Sequence, residues 1–421
     1  MDKLGNLSCI RGLYRALLKS GRTYAAFEED KVFPLVQKLA ERREILDPMA
    51  GYGTLMSYCS KRGVSAYSIE YNPPAYLWQV LIHPGNAMKF ITLAQRLKEY
   101  RKNWPQAKVK ASVSKDWFPD ESKRILLRLF YLCKKILNEM DLSICNTEEL
   151  CLAFLLPFVG RFSSSVTGNI VIHIKRGGIC VYTGWQTDFY DYINAVVERL
   201  LSISDPSVCK VFRHQVIYGD CRTIELPESK FAAMITSPPF PNSQDYSSMF
   251  APENAFLVEL TNMQLIGGYP FTRTLIGTVY VSSIKAHNEG KGYTISSTSA
   301  KKFLSSIDNF KGKTKDACYD NKVYYIPYFA SYFSELEKAF LNISKALSNN
   351  FEGYIIVVNN TTRNIVVPIS DAVVEIWRNL GFDAEIDRDL TREMSHLGSI
   401  NPRAKGLRAR HMEYTIKVWR K

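Results

Sequence analysis

Long apolar runs are missing from this chain of 421 residues. The longest near-apolar stretch, Cys151 to Gly160, is too short to span a bilayer, because a spanning helix needs about 20 apolar residues. The first residues, Met1 to Asn6, lack the apolar core and the cleavage site of a secretory signal. Internal repeats and low-complexity tracts are absent too. We therefore expect a globular, cytoplasmic protein with no membrane partner.

Metal-binding and disulfide signatures are also missing. The nine cysteines are scattered from Cys9 to Cys318, and none forms a Cys-x-x-Cys pair. Dispersed cysteines of this kind are typical of reduced thiols in a reducing compartment. The six histidines do not cluster, so we expect no metal. The sequence contains no motif of paired acidic residues and a lysine, so we expect no fused nuclease.

Acidic residues are the minority charge, since 54 lysines and arginines outnumber 41 aspartates and glutamates and leave a net charge of +13. A basic balance suits a polyanionic partner, most often nucleic acid. An evenly spread solubility charge is the alternative, and composition alone leaves both open. The length suggests two or three domains, or one domain with large insertions.

Short apolar strands alternate with helix patterns along much of the chain. We expect strands at 44–47, 65–70, 215–218, 231–236, 354–358 and 412–419, and helices at 55–62, 328–347 and 368–380. This alternation predicts a mostly parallel sheet that helices cover on both faces. The last strand alternates apolar and polar residues, as an antiparallel strand would.

The first motif with chemical content follows the strand at 44–47 and reads Asp-Pro-Met-Ala-Gly-Tyr-Gly-Thr. Gly51 and Gly53 permit a tight turn and let a ligand approach the backbone closely. Glu70 ends the next strand, where its carboxylate can accept both hydroxyls of a ribose. The phosphate fingerprint Gly-x-Gly-x-x-Gly is absent, so the pattern favours a nucleoside without phosphate. An ordinary surface turn is the alternative.

The second motif, Ser237-Pro238-Pro239-Phe240, ends the strand at 231–236, at the sheet edge where open α/β folds bind ligands. The two prolines fix the backbone and remove two N–H donors, so nearby carbonyl oxygens stay free to accept hydrogen bonds. Ser237 adds an acceptor, and Phe240 adds a flat apolar face. Together they suit a planar base with an exocyclic amine; the alternative is a proline-rich turn.

These motifs, in this order, resemble those of S-adenosylmethionine-dependent DNA amino-methyltransferases, which modify cytosine N4 or adenine N6. Residues 47–54 are similar to the family's cofactor loop, Asp-Pro-Phe-x-Gly-x-Gly-Thr, with Met49 in place of Phe. Residues 237–240 are similar to its catalytic loop, Asp/Asn/Ser-Pro-Pro-Tyr/Phe. The resemblance covers residues 22–83, 211–250 and 325–421.

The resemblance implies an α/β, Rossmann-like methyltransferase fold, with a mostly parallel seven-stranded sheet, a C-terminal antiparallel strand and two large insertions. It implies S-adenosylmethionine as the cofactor, and the residues expected to bind it are Asp47, Pro48, Gly51, Gly53, Thr54, Glu70 and Asp220. Asp220 stands where the family has an acid near the adenine amine. Residues 33–36 resemble the segment over the methionine part of the cofactor, and residues 245–246 resemble a further family feature.

The resemblance also implies a mechanism. Ser237 and the Pro238 carbonyl would accept hydrogen bonds from the two N–H groups of the target amine. The methyl group would transfer directly, without a covalent enzyme intermediate, so Cys221 is expected to be a bystander. Catalytic roles fall to Ser237, Pro238, Pro239 and Phe240. The base must leave the helical stack, with Phe240 as its stacking face. Serine first and phenylalanine last favour cytosine N4, with adenine N6 as the alternative.

The domain prediction follows from where the motifs lie. Residues 1–83, 211–250 and 325–421 are expected to form the catalytic domain, 84–210 a helical insertion, and 251–324 an insertion of loops and short strands that is the candidate target recognition region. A basic cluster is expected to contact the phosphates of double-stranded DNA: Arg403, Lys405, Arg408 and Arg410. A solvated hairpin is the alternative for that cluster.

Three functional hypotheses remain at this point. The favoured one is a sequence-specific DNA methyltransferase, from a restriction–modification system with a separate cognate endonuclease or acting alone. The second is an RNA amino-methyltransferase, which the Ser-Pro-Pro-Phe form disfavours. The third is a nucleic-acid-binding module without catalysis. The intact cofactor loop and the intact catalytic loop argue against it.

Overall fold

The computed structural model describes most of the chain. The described residues are 29–42, 44–105, 117–140, 146–163, 165–166, 173–174, 184–203, 213–241, 250–260, 275–277, 293–310, 324–362, 365–393 and 412–420. They form a mixed α/β structure around one seven-stranded sheet, as the sequence predicts. The arrangement is compatible with a Rossmann-like fold.

All six predicted strands are present. The strands of the structure are β1 (Glu44–Asp47), β2 (Ser65–Glu70), β3 (Ser165–Val166), β4 (His173–Ile174), β5 (Gln215–Tyr218), β6 (Phe231–Thr236), β7 (Leu347–Val358), β8 (Thr361–Thr362), β9 (Ile365–Val366), β10 (Asp383–Glu393) and β11 (Met412–Trp419). However, β7 begins at Leu347 rather than at 354, and the prediction missed β10 and the four short strands. The order in the main sheet is β10-β11-β7-β6-β1-β2-β5, while β3-β4 and β8-β9 are separate pairs. β5, β2, β1, β6 and β7 are parallel neighbours, and β11 runs antiparallel to both β7 and β10. The predicted antiparallel last strand is confirmed.

Helices cover both faces of the sheet. They are α1 (Glu29–Leu39), α2 (Thr54–Arg62), α3 (Pro73–Ile82), α4 (Ala87–Glu99), α5 (Asp120–Glu139), α6 (Thr147–Val159), α7 (Trp185–Ile203), α8 (Ala251–Ala255), α9 (Thr298–Asp308), α10 (Ile326–Lys345) and α11 (Ile369–Asn379). Successive strand residues point to opposite faces, and each face has its own apolar cluster. Ile45 belongs to the cluster with α1 to α7, and Leu46 to the one with α9 to α11.

The described part of the segment at 84–210 is mostly helical, and the short pair of strands β3 and β4 is the exception. Its helices α4 to α7 share one buried cluster with α1 to α3 and with β1, β6 and β7. Helix α6 lies at its centre, because apolar side chains on all sides of it are buried. Here the helical layer continues the core of the sheet rather than enclosing a core of its own.

The prediction of loops and short strands for 251–324 is wrong at 251–255, which form helix α8, and at 298–308, which form helix α9. Ala300, Phe303 and Ile307 are buried at helical spacing, and Ser297 Oγ accepts a hydrogen bond from Ala300 N at 3.0 Å as an N-cap. Glu375 on α11 accepts hydrogen bonds from both Ser297 Oγ and Ser299 Oγ. The N-cap and the buried apolar side chains therefore stabilise a helix here despite the serine-rich composition of the segment.

The sheet brings the ends of four strands to one edge. Asp47 is in register with Ser68 two residues before the end of β2, and Glu70 is in register with Tyr218 at the end of β5. β6 runs parallel to β1 and ends at Thr236. The carboxyl edge is where ligands bind in such sheets. In the described part of the chain, no helix is both long and apolar enough to cross a membrane.

Candidate active site

The loop between β1 and α2 turns sharply at two glycines. Gly51 has φ +53° and Gly53 has φ +69°, in the left-handed region that disfavours other residues. A Cβ on Gly53 would lie 2.8 Å from Cγ of Gln79, whereas Gly51 has open space there. Gln79 is fully buried, and its Nε2 donates to the Gly51 carbonyl at 2.7 Å. The loop can therefore admit a ligand over Gly51 but is packed tightly beneath Gly53.

Glu70 holds the other side of the same loop. Its Oε2 accepts a hydrogen bond from Gly51 N at 2.6 Å, and its Oε1 accepts one from Asn72 N at 2.7 Å. Burial raises the pKa of Glu70 to about 7, although these amides favour the ionised form. The carboxylate thus titrates near neutral pH while it fixes the backbone of the loop.

Asp47 lies beneath the loop rather than in its opening. It is fully buried, and its Oδ1 accepts a hydrogen bond from Thr236 Oγ1 at 2.9 Å. Its Oδ2 has no hydrogen-bond partner among the described residues. Burial raises the pKa of Asp47 to about 7. The contact joins the end of β1 to the end of β6, and so links the two predicted loops directly.

The Ser-Pro-Pro-Phe loop after β6 is anchored through its later carbonyls. Tyr332 Oη on α10 donates to the Pro239 carbonyl at 3.0 Å, and Asn360 Nδ2 donates to the Pro241 carbonyl at 2.6 Å. Within the ranges that the structure describes, no donor reaches the Pro238 carbonyl. The loop is therefore held in place while one of its carbonyl oxygens stays available as an acceptor.

Asp220 follows β5 and lies at the same edge. Its carboxylate accepts hydrogen bonds from the Arg222 guanidinium at 2.5 to 3.0 Å. Arg222 in turn donates to Glu335 on α10 at 2.5 Å. Asp220 is thus a fixed acid in an ion-pair network, which its place in the sequence did not indicate.

One cavity gathers these loops. The predicted site residues in its wall are Pro48, Gly51, Thr54, Glu70, Asp220, Ser237, Pro238, Pro239 and Phe240. Asp47 and Gly53 belong to the supporting layer just described. Sequence reasoning missed several wall residues, among them Tyr52, Tyr71, Asn72 and Arg222. All four directly flank a predicted motif residue or stand within two positions of one, which is the only signal that the sequence carried for them.

Other predicted residues fall elsewhere. Residues 33–36 lie in α1, where Val36 is fully buried and the Phe33 ring lies 4.1 Å from the Arg62 guanidinium; none of them lines the cavity. Arg403, Lys405, Arg408 and Arg410 lie outside the described residues, as do residues 245–246.

The chemistry of this cavity rests on fixed acceptors. Cys221 lines it, but burial and the nearby Asp220 raise the pKa of its thiol, so the thiol stays protonated. Among the described residues, no group of three or more metal-ligating side chains comes together. In the cavity wall, the carboxylates of Glu70 and Asp220 can accept hydroxyl or amine hydrogens, and Ser237 Oγ and the Pro238 carbonyl can accept amine hydrogens.

Comparison with known proteins gives a partial likeness. No protein-family model matches the chain. Two curated relatives, from Nostoc sp. (strain PCC 7120 / SAG 25.82 / UTEX 2576) and from Anabaena variabilis, are both named "Type II methyltransferase M.AvaI". Each is 24% identical over 256 residues, which is 55% of this chain and 52% of the relative. The chain thus spans about half the length of the curated relatives it matches, and over that part it is similar to a methyltransferase.

Proposed function

We propose that this chain is an S-adenosylmethionine-dependent DNA methyltransferase that modifies the exocyclic N4 amine of cytosine within a restriction–modification system. The observation that carries the proposal is the buried Asp47–Thr236 hydrogen bond of 2.9 Å, which joins the two motif loops at one cavity. The likeness to two Type II methyltransferases adds support. Neither motif alone would suffice, because each has an ordinary turn as its alternative.

The cavity residues fit the proposed cofactor. Gly51 leaves open space above the turn, Glu70 offers a carboxylate for ribose hydroxyls, and Asp220 offers one for the adenine amine. The Gly-x-Gly-x-x-Gly fingerprint of a phosphate-binding turn is absent from the sequence, which favours a nucleoside ligand. S-adenosylmethionine, when bound, would supply an electrophilic methyl group on its sulphonium.

The residues of the second loop then prepare the acceptor amine. An exocyclic base amine is a poor nucleophile because its lone pair is delocalised into the ring. Ser237 Oγ and the Pro238 carbonyl accept hydrogen bonds from its two N–H groups. These hydrogen bonds draw the nitrogen towards tetrahedral geometry and localise its lone pair. Phe240 stacks on the base, which must leave the duplex to reach the cavity. Most of the rate enhancement then comes from positioning.

DNA binding is assigned to the predicted basic cluster of residues 403–410. The strand ends on either side of it, Glu393 and Met412, pair at the edge of the sheet, and lysines or arginines there would contact backbone phosphates. Residues 251–324 are proposed to read the target sequence and 84–210 to flank the DNA. A cognate endonuclease would act as a separate protein.

The proposal is tested by incubating methyl-labelled S-adenosylmethionine and a mixture of genomic DNA and total RNA with either wild type or the Gly51→Val variant. Wild type should label DNA and not RNA. Gly51→Val should bind no S-adenosylhomocysteine by calorimetry and transfer no label, because a β-branched residue does not tolerate φ +53°. Label confined to RNA would contradict the DNA assignment, and unchanged binding in the variant would move the cofactor site away from this loop.

A further inference from the structure

A charge network surrounds the turn after β5. Arg222 Nε lies 2.9 Å from Asp220 Oδ1 and 3.0 Å from Oδ2, and Nη2 lies 2.5 Å from Oδ2. The backbone N–H of Arg222 also donates to Oδ1, at 2.9 Å. The Arg222 side chain is only 10% exposed although it borders the cavity. A forked, largely buried contact of this kind fixes both the position and the tilt of a carboxylate.

Helix α10 holds the network from behind. Arg222 Nη1 donates to Glu335 Oε2 at 2.5 Å, and Lys338 Nζ donates to Glu335 Oε1 at 2.6 Å. Burial alone would raise the pKa of Glu335, but Lys338 and Arg222 outweigh it and the pKa is lowered. Asn342 on the same helix donates to the Cys221 carbonyl at 3.1 Å. The turn is therefore fastened to α10 by charge and by its own backbone.

The hydrogen count at Asp220 leaves room for one more donor. A carboxylate offers about four lone-pair positions. Arg222 supplies only three hydrogens, from Nε, Nη2 and the backbone N, and the Nε hydrogen is shared between Oδ1 and Oδ2. Within the described residues no other hydrogen reaches the Asp220 carboxylate. A fixed carboxylate with one open acceptor position can accept an N–H but repels a carbonyl oxygen.

We propose that Arg222 and Glu335 are positioning residues that aim the Asp220 carboxylate at the 6-amino group of the cofactor's adenine. The inference rests on the proposed function and deepens it. It makes the pair responsible for discrimination between a purine with a 6-amino group and one with a 6-oxo group. Neither residue touches the reacting atoms.

The test compares two ligands by calorimetry: S-adenosylhomocysteine and its 6-oxo counterpart, S-inosylhomocysteine. Wild type should prefer the amino ligand by about 10- to 100-fold, the range for a hydrogen bond to a charged group. Arg222→Lys keeps the charge but loses the fork, and Glu335→Gln removes the charge that anchors it. In both variants the ratio of the two affinities should fall towards one, chiefly because the amino ligand binds more weakly.

Arg378→Lys is the matched control, because Arg378 Nε holds the Ala384 carbonyl at 2.9 Å and does not line the cavity. It should keep the wild-type preference. If Arg222→Lys and Glu335→Gln weaken both ligands equally and keep their ratio, the pair is only structural and the inference is overturned. Equal binding of both ligands to wild type would overturn it while the proposed function stands. Binding of neither ligand to wild type would overturn both.

Discussion

Ser237 is the residue on which the proposed chemistry depends most. Ser237→Ala removes one of two acceptors for the target amine and leaves the cofactor loop untouched. We expect S-adenosylhomocysteine affinity to stay within about threefold and turnover to fall by about 10²–10³-fold, as for loss of one preorganised hydrogen-bond partner at a reacting group. Label transfer under saturating DNA measures the loss.

Ser306→Ala is the matched control for that change. The Ser306 hydroxyl is exposed on α9 and donates only within its own helix, to the Lys302 carbonyl at 2.9 Å. Turnover should be unchanged in this variant. Normal turnover in Ser237→Ala would contradict the role given to Ser237.

Glu70 makes cofactor binding sensitive to pH near neutrality. Its pKa is raised to about 7 by burial, so the free protein is largely protonated there below pH 7 and ionised above it. Ribose hydroxyls donate to the ionised form, so affinity rises as pH increases. Between pH 6 and pH 8 we expect about a tenfold gain in S-adenosylhomocysteine affinity, because the competent fraction rises from about a tenth to about nine tenths.

Calorimetry at several pH values measures this gain, and heats in buffers of different ionisation enthalpy count the proton released. Glu70→Gln cannot titrate, so its affinity should be weaker and flat across the same range. A pH profile in Glu70→Gln as steep as that of wild type would show that another group carries the dependence.

At the scale of the element, α10 is the member that orients the site. Tyr332, Glu335 and Asn342 lie on one side of it at helical spacing, and they reach the Pro239 carbonyl, Arg222 and the Cys221 carbonyl. The same helix therefore supports both the catalytic loop and the turn that carries Asp220. Its apolar side chains, among them Phe333, Leu336 and Phe340, are buried in the cluster with α9 and α11.

Tyr332→Phe tests that support. It keeps the ring in the core and removes the hydroxyl that donates to the Pro239 carbonyl, so the loop loses one anchor. We expect turnover to fall about fivefold, since a net hydrogen bond of about 1 kcal/mol corresponds to that factor, with little change in cofactor affinity. Tyr354→Phe is the control, because the Tyr354 hydroxyl bonds Glu352 rather than the loop. Equal losses in both variants would contradict the proposed support.

His214 directly precedes β5, the strand at the edge of the sheet, and holds it in place. Its Nδ1 accepts a hydrogen bond from Ala66 N at 3.0 Å, so the ring hydrogen lies on Nε2, which is 2.8 Å from Ser60 Oγ. Burial, with a smaller effect of His83, lowers the pKa of His214 to about 3. The folded protein keeps this ring neutral while the unfolded chain protonates near pH 6.5.

Stability from His214 is therefore complete above about pH 6.5 and is lost as pH falls towards 3. At pH 5 the loss is at most about 2 kcal/mol, from 1.36 kcal/mol per pH unit. Urea unfolding at pH 7 and pH 5 gives the change in unfolding free energy on acidification, and that change should be more favourable in His214→Gln than in wild type by about that amount. An identical change in both proteins would contradict it. Asp47 and Glu70 act in the opposite sense in both proteins, so they cancel in the comparison.

Across the whole molecule, local patterns predicted six of the seven strands of the main sheet, but not β10, and predicted the two motif loops, because each depends on consecutive residues. β1, β2, β5, β6 and β11 occupy the predicted ranges. What the sequence did not show depends on distant partners: Gln79 beneath Gly53, Tyr332 on the Pro239 carbonyl, and Arg222 between Asp220 and Glu335. Such contacts arise only when the sheet brings separate segments together, so no spacing rule reveals them.

The proposed reaction transfers a methyl group to a cytosine amine in DNA, so the identity of the modified nucleoside is its decisive test. The protein is incubated with methyl-labelled S-adenosylmethionine and mixed genomic DNA, and the digested nucleosides are separated by mass spectrometry, with Ser237→Ala run in parallel. We expect label in N4-methylcytosine and almost none from the variant. Label in N6-methyladenine would contradict the assignment of the base, and no label in any nucleoside would contradict the proposed methyl transfer.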